Sequence, residues 1–429
     1  MRIDLPYLDR SFPLEFPDEN LLAVAEPNVF EGAGDTAEIL REALENPMGQ
    51  GGRPGQGLRD FIGDGREILI IINDATRPTP TEAMLAALMP VLEGLVPDEK
   101  RISLLVATGT HRPPTDTERR QILGSFYGRL KERTFCHDSR NDAELVDLGH
   151  TRGGTPISLN RRLFEADRII VTGSVEPHYF AGFTGGRKAF LPGTAGFKTI
   201  ETNHKQALSP AARTLALEGN PVHEDMMDAL SLIKAPVFSL MTVLDKKQGV
   251  AAACAGDLTA SFNGAVDIAR KIFCVPVPSK ADIVVTTARF PMDIDLYQSQ
   301  KAIDNGTLAL KDGGTLILVS SCRDGIGDRA YAELLAQAAS PAEALERIRD
   351  GYRMGYHKAA KIAETADRFR LFVTAELPAE LLHSMFMEKA VSPQAALDEA
   401  LNQARAAGIR IPKILVLPDG GLTVPDPGL

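Results

Sequence analysis

Short runs of consecutive apolar residues recur along the chain, with polar loops and helical repeats between them. The strongest runs lie within residues 66–73, 102–108 and 168–171, and they are continuous rather than alternating. A continuous run is typical of a strand that is buried on both faces of a parallel sheet. Residues 80–95 repeat their apolar positions at the helical period, although Pro90 is expected to kink or split that helix. Strands that alternate with helices in this way predict an α/β fold.

The alternation of strands and helices stops at a proline-rich segment, residues 274–280, and then begins again. The strands predicted after it cover residues 282–288, 314–321 and 370–375. A chain of 429 residues is long enough for two separate cores. We therefore predict two doubly wound α/β domains, residues 1–274 and 275–429, with an active-site cleft between them.

Composition narrows the class of protein. Hydrophobic residues make up 44% of the chain and charged residues 24%, which is typical of a globular protein. The net charge of −10 argues against a nucleic-acid-binding surface. The first residues contain no apolar signal core and no stretch is long enough to cross a membrane, so we expect a cytoplasmic protein without a membrane partner. The four cysteines form no CxxC pair, which favours reduced thiols over disulfides or a zinc knuckle.

Three of the predicted strands end in loops that are rich in polar side chains. Asp74 and Arg77 follow the first strand, His111 follows the second, and the segment 172–204 follows the third. The carboxyl ends of parallel strands lie along one edge of a sheet, where open α/β sheets place their ligands. We therefore expect these side chains to converge there, together with His178 from the third loop.

Two local features are predicted away from that edge. Residues 46–57 are rich in glycine and polar residues, which indicates a mobile surface loop. Asp116 precedes a helical repeat and is expected to cap that helix at its N-terminus.

The third loop contains a glycine-rich turn, residues 182–188, that ends in Lys188. Gly185 and Gly186 allow the backbone to turn tightly and to point its N–H groups at an anion such as phosphate. The turn is not a P-loop, because its spacing differs and Ala189 replaces the Ser or Thr that would hold Mg²⁺. Lys188 adds a point charge or a nucleophilic amine. The alternative is a surface turn with a solvated lysine.

Three of the eight histidines follow a strand end or the glycine-rich turn, namely His111, His178 and His204. A neutral imidazole at such a place serves as a general base near pH 7 or as a metal ligand, and the alternative is that it only satisfies a loop carbonyl. No HExxH or HxH pairing is present, so a metal site made of protein ligands alone has weak support. The remaining histidines are interpreted as structural: His137, His150, His223, His357 and His383.

Four residues are candidates for binding the carboxylate of a substrate: Arg77, Lys301, Asp74 and Gln298. Arg77 offers a planar fork that suits a carboxylate. Asp74 lies just before it and is expected to orient it or to accept a proton. Gln298 and Lys301 are about one helical turn apart and would share a face. Surface ion pairs are the alternative for each of these residues.

Taken together and in order, these residues resemble the nickel-pincer lactate racemase family. The pieces that carry the resemblance are DATRP at 74–78, TGTHRP at 108–113, EPH at 176–178, GGRK at 185–188, NH at 203–204 and YQ at 297–298 with Lys301. They occur in both predicted domains, so the resemblance covers most of the chain. No single piece is specific, but the ordered set is.

The resemblance implies a cofactor, pyridinium-3,5-bisthiocarboxylic acid mononucleotide, which holds nickel in a sulfur–carbon–sulfur pincer and is bound covalently to a lysine. It implies that Lys188 is this tether and that His204 is the protein ligand of the nickel. Gly185 and Gly186 would receive the cofactor phosphate. Enzymes that build the cofactor and insert nickel are implied partners, and protein that is made without them is expected to lack it.

The resemblance also implies the reaction. The chain would be an isomerase, a racemase or epimerase that inverts C2 of a 2-hydroxy acid by proton-coupled hydride transfer through a 2-keto acid. The paired acid and base groups would be His111 and His178. The residues that hold or support the substrate would be Arg77, Lys301, Asp74 and Gln298.

The tethering motif does not fix the substrate. Tyr356 and His357 would suit a polar tail, which favours a longer or hydroxylated acid over lactate. Two other functions stay open at this point. A non-catalytic binding protein of the same fold would hold a small acid without turnover, and a zinc-dependent lyase or hydrolase would need three protein ligands.

Overall fold

The computed structural model describes residues 1–30, 34–96 and 98–428 of the chain. Contacts among these residues divide the chain into two units, each an α/β structure with its own six-stranded sheet. The larger unit is Val29–Arg270, and the smaller unit joins Met1–Asn28 to Lys271–Leu429. The predicted fold class, two doubly wound α/β domains, is confirmed. The predicted boundary after residue 274 differs from this division in where the first 28 residues belong.

The strands in chain order are β1 (Arg2–Tyr7), β2 (Arg10–Glu15), β3 (Leu21–Val24), β4 (Ile68–Asn73), β5 (Ile102–Ala107), β6 (Thr134–Cys136), β7 (Leu145–His150), β8 (Pro156–Asn160), β9 (Arg168–Ser174), β10 (Pro177–His178), β11 (Gly182–Phe183), β12 (Val237–Leu244), β13 (Val250–Asp257), β14 (Cys274–Pro276), β15 (Ala281–Thr287), β16 (Leu310–Val319), β17 (Arg370–Thr374), β18 (Glu388–Lys389), β19 (Ile414–Leu417) and β20 (Val424–Asp426).

The α-helices are α1 (Thr36–Glu45), α2 (Leu58–Ile62), α3 (Thr81–Leu95), α4 (Asp116–Leu123), α5 (Tyr127–Leu130), α6 (Arg162–Glu165), α7 (Phe197–Lys205), α8 (Pro221–Ser231), α9 (Leu258–Phe273), α10 (Leu296–Leu308), α11 (Arg329–Ala336), α12 (Pro341–Asp350), α13 (Tyr356–Arg368), α14 (Ala379–His383) and α15 (Pro393–Ala406). No helix in the described part of the chain is long and apolar enough to cross a membrane.

The sheet of the larger unit has the strand order β13-β12-β9-β4-β5-β6. Its strand pairs are parallel except for β12 with β13. From β4 the chain proceeds outward through β5 and β6, and it then returns to the other side of β4 with β9. The carboxyl ends of β4 and β9 therefore mark the point at which the strand order reverses, which is where such sheets leave room for a ligand.

The apolar runs become central strands because helices cover them. Ile70 of β4 is fully buried and shares one apolar cluster with Leu40 of α1 and Leu88 of α3. Pro90 lies inside α3, which continues past it, so Pro90 does not split the helix, and a kink stays a prediction. Pro90 and Ala86 are both exposed, and the carbonyl that loses its helical partner therefore faces water.

The sheet of the smaller unit has the order β18-β17-β16-β15-β19-β3, with its strand pairs parallel. The hairpin of β1 and β2 covers one face, because Leu5 and Leu14 share a buried cluster with Val285 of β15. At the sheet edge β3 pairs with β19, with Leu21 opposite Ile414. This pairing places the first residues in the smaller unit, and no local pattern in the sequence predicts it.

The glycine-rich segment at residues 46–57 lies mostly at the surface, but it is tied to the sheet. The N–H of Met48 donates to the carbonyl of Ala255 at 2.7 Å, and the N–H of Asp257 donates to the carbonyl of Met48 at 2.9 Å. Met48 is thus held against β13 in the segment for which the sequence predicts a mobile surface loop.

Helix α4 begins with a capping box, one residue before the predicted position. Thr115 is the N-cap, and Asp116 lies in the first turn. The N–H of Glu118 donates to the hydroxyl oxygen of Thr115 at 3.3 Å, and the N–H of Thr115 donates to the Glu118 carboxylate at 2.7 Å. The prediction that Asp116 caps the helix is therefore wrong, since the reciprocal pair satisfies the first N–H groups.

Thr115→Ala is expected to lower the free energy of unfolding by about 1 kcal/mol, because the side-chain half of this capping box is lost. Urea or thermal unfolding measures the change. Thr117→Ala is the matched control, since Thr117 lies in the first turn of the same helix without being its cap. Equal losses in both variants would contradict the capping role of Thr115.

Candidate active site

The predicted site residues of the larger unit come from loops that leave β4, β5 and β9, which are neighbours in the sheet in the order β9-β4-β5. Two of these loops are also joined directly, because the N–H of Gly109 donates to the carbonyl of Gly193 at 3.0 Å. Gly109 lies just before His111, and Gly193 lies just after Lys188. The loop of the candidate base and the loop of the candidate tether are therefore fixed to one another.

Asp74 and His111 form a hydrogen-bonded pair. Oδ2 of Asp74 lies 2.7 Å from Nδ1 of His111, and Oδ1 accepts from the hydroxyl of Thr76 at 2.6 Å. Burial by itself would raise the pKa of Asp74, but the hydrogen bonds from His111 and Thr76 outweigh it and hold the pKa below its ordinary value. An ionised carboxylate only accepts, so the neutral His111 ring carries its proton on Nδ1 and presents a bare Nε2. His111 is thus arranged as a base.

Arg77 is exposed, and its N–H closes a turn on the carbonyl of Asp74 at 3.2 Å. The sequence linked the Asp74 carboxylate to Arg77, but in the structure that carboxylate is hydrogen-bonded to His111 and Thr76. Asp74 therefore orients the imidazole of His111 directly, while Arg77 acts on Asp74 through its charge.

His178 lies in the short hairpin of β10 and β11, opposite Gly182. The ring is buried, and its Nδ1 faces the backbone N–H groups of Phe180 at 3.5 Å and Ala181 at 3.3 Å. Nδ1 is therefore an acceptor, and the neutral ring carries its proton on Nε2. His178 and His111 are held in opposite tautomers.

The ring of Phe180 brings three of the predicted site residues together. Its centroid lies 4.6 Å from that of the His178 ring and 5.1 Å from that of the His204 ring. The amine of Lys188 lies 5.4 Å from the same centroid. The carbonyl of Phe180 accepts from the Asn220 amide at 2.9 Å, which holds the backbone beneath the ring. His178, Lys188 and His204 thus share one aromatic neighbour.

The glycine-rich turn is held from beneath by Arg187, whose side chain is fully buried. Its guanidinium donates to the carbonyls of Ala181 at 2.6 Å, Phe183 at 2.9 Å and Gly185 at 3.3 Å. It also lies 4.5 Å from the ring centroid of Phe262. Burial lowers the pKa of Arg187 to about 9, so the group stays cationic at neutral pH. Backbone carbonyls and an aromatic face solvate this charge.

Gly185 and Gly186 adopt φ angles of +81° and +54°, which other residues avoid. A Cβ on Gly185 would lie 2.7 Å from the side chain of Val175, and one on Gly186 would lie 2.9 Å from that of Phe262. The N–H of Gly186 is directed at the sulfur of Met241 at 3.4 Å. Close packing explains both glycines, and their contact with a cofactor phosphate stays a prediction.

His204 is buried in the last turn of α7, beside the Phe180 ring. The adjacent Asn203 donates to the Asp225 carboxylate at 2.9 Å and to the Val222 carbonyl at 3.3 Å, which fixes this turn against α8. Among the described residues, no three His, Cys, Asp or Glu side chains are grouped so as to hold a metal ion. A metal bound by His204 would therefore need further donors from a bound group.

Gln298 and Lys301 lie in the first turns of α10, in the smaller unit. Asp295 caps this helix, and its carboxylate accepts the N–H of Gln298 at 2.7 Å. Both side chains are half-buried, and their spacing puts them on one helical face. Their role in binding a substrate stays a prediction.

Two of the histidines that were interpreted as structural have partners inside the protein. The ring of His137 is buried, with Nε2 2.9 Å from the carbonyl of Ala195 and Nδ1 3.1 Å from the Asn160 amide, and burial lowers its pKa. Nδ1 of His357 lies 2.9 Å from the hydroxyl of Tyr352. These contacts position the two rings within the fold.

The sequence did not single out Phe180 as the shared neighbour or Arg187 as the cation beneath the turn. A phenylalanine is usually a core residue, and an arginine beside a lysine is usually a solvated charge. The signal that could have drawn attention to both is their position inside the segment 172–204, next to His178 and Lys188.

Known proteins with similar sequences were found for the whole chain. A family model of the lactate racemase N-terminal domain matches residues 7–215, and one of the lactate racemase C-terminal domain matches residues 277–424. A lactate racemase of Lactiplantibacillus plantarum is 33% identical, over 97% of this chain and 98% of its own length. One of Thermoanaerobacterium thermosaccharolyticum is 31% identical, over 97% of each chain.

Solved structures agree with these matches. The lactate racemase apoprotein from Thermoanaerobacterium thermosaccharolyticum has a TM-score of 0.89 at 30% identity, over 99% of this chain and 100% of that chain. A crystal structure of a Thermotoga maritima protein has a TM-score of 0.66 at 18% identity, over 92% of this chain and 99% of that chain, which shows a likeness of fold alone.

Asp74→Asn is expected to destabilise the protein at neutral pH by about 1–3 kcal/mol, because a buried, charged hydrogen-bond acceptor of His111 is lost. The folded protein lowers the pKa of Asp74, so this contribution is complete above the unfolded value of about 3.9 and is lost as the pH falls through the lower folded value. The difference between wild type and variant should therefore shrink as the pH falls below the unfolded value. Thermal unfolding at a series of pH values measures it.

The matched control for this prediction is Asp138→Asn. Asp138 also accepts a backbone N–H from the second residue after it, but its side chain is exposed. This variant should follow wild type at every pH. A loss for Asp74→Asn that stays constant into the acid range would show that its carboxylate is not held ionised by the fold.

Proposed function

The chain belongs to the lactate racemase family, and from that premise we propose that it inverts the C2 centre of a 2-hydroxy acid. The observation that carries the proposal is the meeting of His178, Lys188 and His204 around the ring of Phe180. A candidate base, a candidate covalent tether and a candidate metal ligand are thereby neighbours. Lactate, the acid named in the relatives, is the first substrate to test.

The residues present fit a tethered nickel-pincer mononucleotide. Lys188 would hold it covalently and His204 would bind the nickel, since the amine and the imidazole flank one aromatic ring. A pincer brings its own sulfur and carbon donors, which suits a site where the described residues offer no cluster of three protein ligands. When bound, such a cofactor supplies an electrophilic carbon that takes up and returns a hydride.

His111 and His178 are proposed to exchange the hydroxyl proton of the substrate. Asp74 keeps the proton of the neutral His111 ring on Nδ1, so Nε2 is free to accept the hydroxyl proton. Two such groups are useful because the two epimers present their hydroxyls in different directions. In the opposite tautomer, Nε2 of His178 already carries a proton, so it can donate that proton to the substrate oxygen and must release it before it can accept one.

Arg77 of the larger unit is proposed as a substrate-binding residue, and so are Lys301 and Gln298 of the smaller unit. The Arg77 guanidinium is exposed and offers two parallel donors to a carboxylate. Lys301 supplies a positive charge, and Gln298 supplies an amide on the same face of α10. A carboxylate that is fixed in this way keeps the acid oriented while its C2 centre is inverted.

The covalent tether is tested by intact-mass measurement of protein made together with the cofactor-building enzymes. Wild type should carry added mass and nickel, and Lys188→Ala should carry neither the added mass nor stable nickel. Lys198→Ala removes an exposed lysine and should keep both. Wild-type protein without added mass and without nickel would contradict the proposed cofactor.

The acid and base roles are tested with C2-deuterated lactate, glycerate, malate and gluconate. Wild type should invert at least one of them, and it should keep the deuterium at C2 if a hydride is moved. His111→Ala and His178→Ala should each lower the rate by about 10²–10⁴-fold, the range of a positioned acid or base. Their added mass on Lys188 should be unchanged.

The matched control is His150→Ala, which removes an exposed histidine and should leave the rate unchanged. Inversion with loss of deuterium to solvent would favour abstraction of the C2 proton instead of hydride transfer. Protein that carries the cofactor but inverts none of the acids would contradict the proposed reaction.

A further inference from the structure

Lys358 is a buried lysine in the first turn of α13, in the smaller unit. Buried lysines are uncommon, because removing an ammonium group from water is costly unless its hydrogen bonds are replaced. In this protein Tyr297, a residue of another helix, is one such replacement partner. The Lys358 ammonium donates to the Tyr297 carbonyl and lies 3.6 Å from the centroid of the Tyr297 ring.

A second hydrogen bond joins the same two helices. The side-chain amide of Gln300 donates to the carbonyl of Lys358 at 3.0 Å. Tyr297, Gln300 and Asp304 lie on one face of α10 at 3.6 residues per turn. The positive charge of Lys358 also acts on Asp304, one turn further along that face. Lys358 therefore joins α13 to the first two turns of α10.

Lys358 contacts the turn of α10 that carries the candidate substrate-binding residues. Gln298 follows Tyr297 directly, and Lys301 follows Gln300. The far side of this turn is also fixed, because the hydroxyl of Ser299 lies 2.7 Å from that of Ser320. With both sides held, the side chains of Gln298 and Lys301 have a defined direction.

We propose that Lys358 is a positioning residue, which sets the orientation of the turn from Tyr297 to Lys301 and thereby the affinity for the substrate carboxylate. The inference rests on the proposed function, since it takes Gln298 and Lys301 as the residues that hold the acid. The role rests on the bond between the Lys358 ammonium and Tyr297, not on a contact between Lys358 and the substrate. Its loss affects binding more than the chemical step.

Lys358→Met keeps the length of the side chain and removes its charge. In the cofactor-loaded protein it is expected to raise KM for the acid of the panel that wild type inverts fastest by about tenfold, as for the loss of one charged hydrogen bond. The turnover number should stay within about threefold of wild type, because His111 and His178 lie in the other unit. Lys358→Arg, whose cation can still stack on Tyr297 and donate to its carbonyl, should restore most of the lost affinity.

Lys361→Met is the matched control. Lys361 lies one turn further along the same helix, and its ammonium binds Glu364 at 2.9 Å. This variant should leave KM unchanged. Equal KM values for wild type and Lys358→Met would overturn the proposal, as would an equal rise in Lys358→Met and Lys361→Met.

Two further measurements keep the test decisive. If Lys358→Met does not fold, Gln300→Leu removes the second hydrogen bond between α10 and α13 and should raise KM in the same direction, and an unchanged KM would overturn the proposal. If wild type inverts none of the acids, the proposed reaction fails by itself. Calorimetric titration of wild type and of Lys358→Met with lactate then tests the positioning role. The variant should bind lactate about tenfold more weakly, and equal affinities would overturn the proposal.

Discussion

The arrangement of the larger unit's site depends on one buried cation, the guanidinium of Arg187. It sits where no water reaches and donates to three backbone carbonyls of the preceding turn. An isolated charge in such a place is costly, so its hydrogen bonds to the backbone are a strong constraint on the path of the chain. That path determines where Phe180 lies and how Lys188 leaves the turn. The rings of His178 and His204 pack against Phe180, so their positions also depend on the path of the chain.

Much of the sheet architecture can be read from the sequence, because the information is local. The continuous apolar runs identify β4, β5 and β9, and polar loops follow them. The pairing of β3 with β19 cannot be read in this way, since Leu21–Val24 is short and its partner lies almost a whole chain away. Pro90 does not split α3, because the hydrogen bond that it removes lies on the solvent-facing side of the helix.

In the candidate site, too, local features could be predicted from the sequence and contacts between distant residues could not. His111, His178, Lys188 and His204 were recognisable because each follows a strand end or a glycine turn. The hydrogen-bond partner of the Asp74 carboxylate could not be recognised, because it is not Arg77, the nearest cation in sequence. It is the imidazole of His111, which lies in the loop after the next strand. The role of Lys358 could not be predicted from the sequence for the same reason, because only the packing of α13 on α10 brings Lys358 to Tyr297. Contacts between loops and helices far apart in sequence have no local pattern.

The edge strand β3 has a consequence for how the chain is made. Leu21–Val24 is synthesised long before its hydrogen-bonding partner, Ile414–Leu417. At synthesis rates of about 5–20 residues per second, the edge strand waits for roughly 20 to 80 seconds. The smaller unit can close its sheet only after Ile414–Leu417 has been made, and a gene fragment that begins after the larger unit would produce a sheet with an open edge.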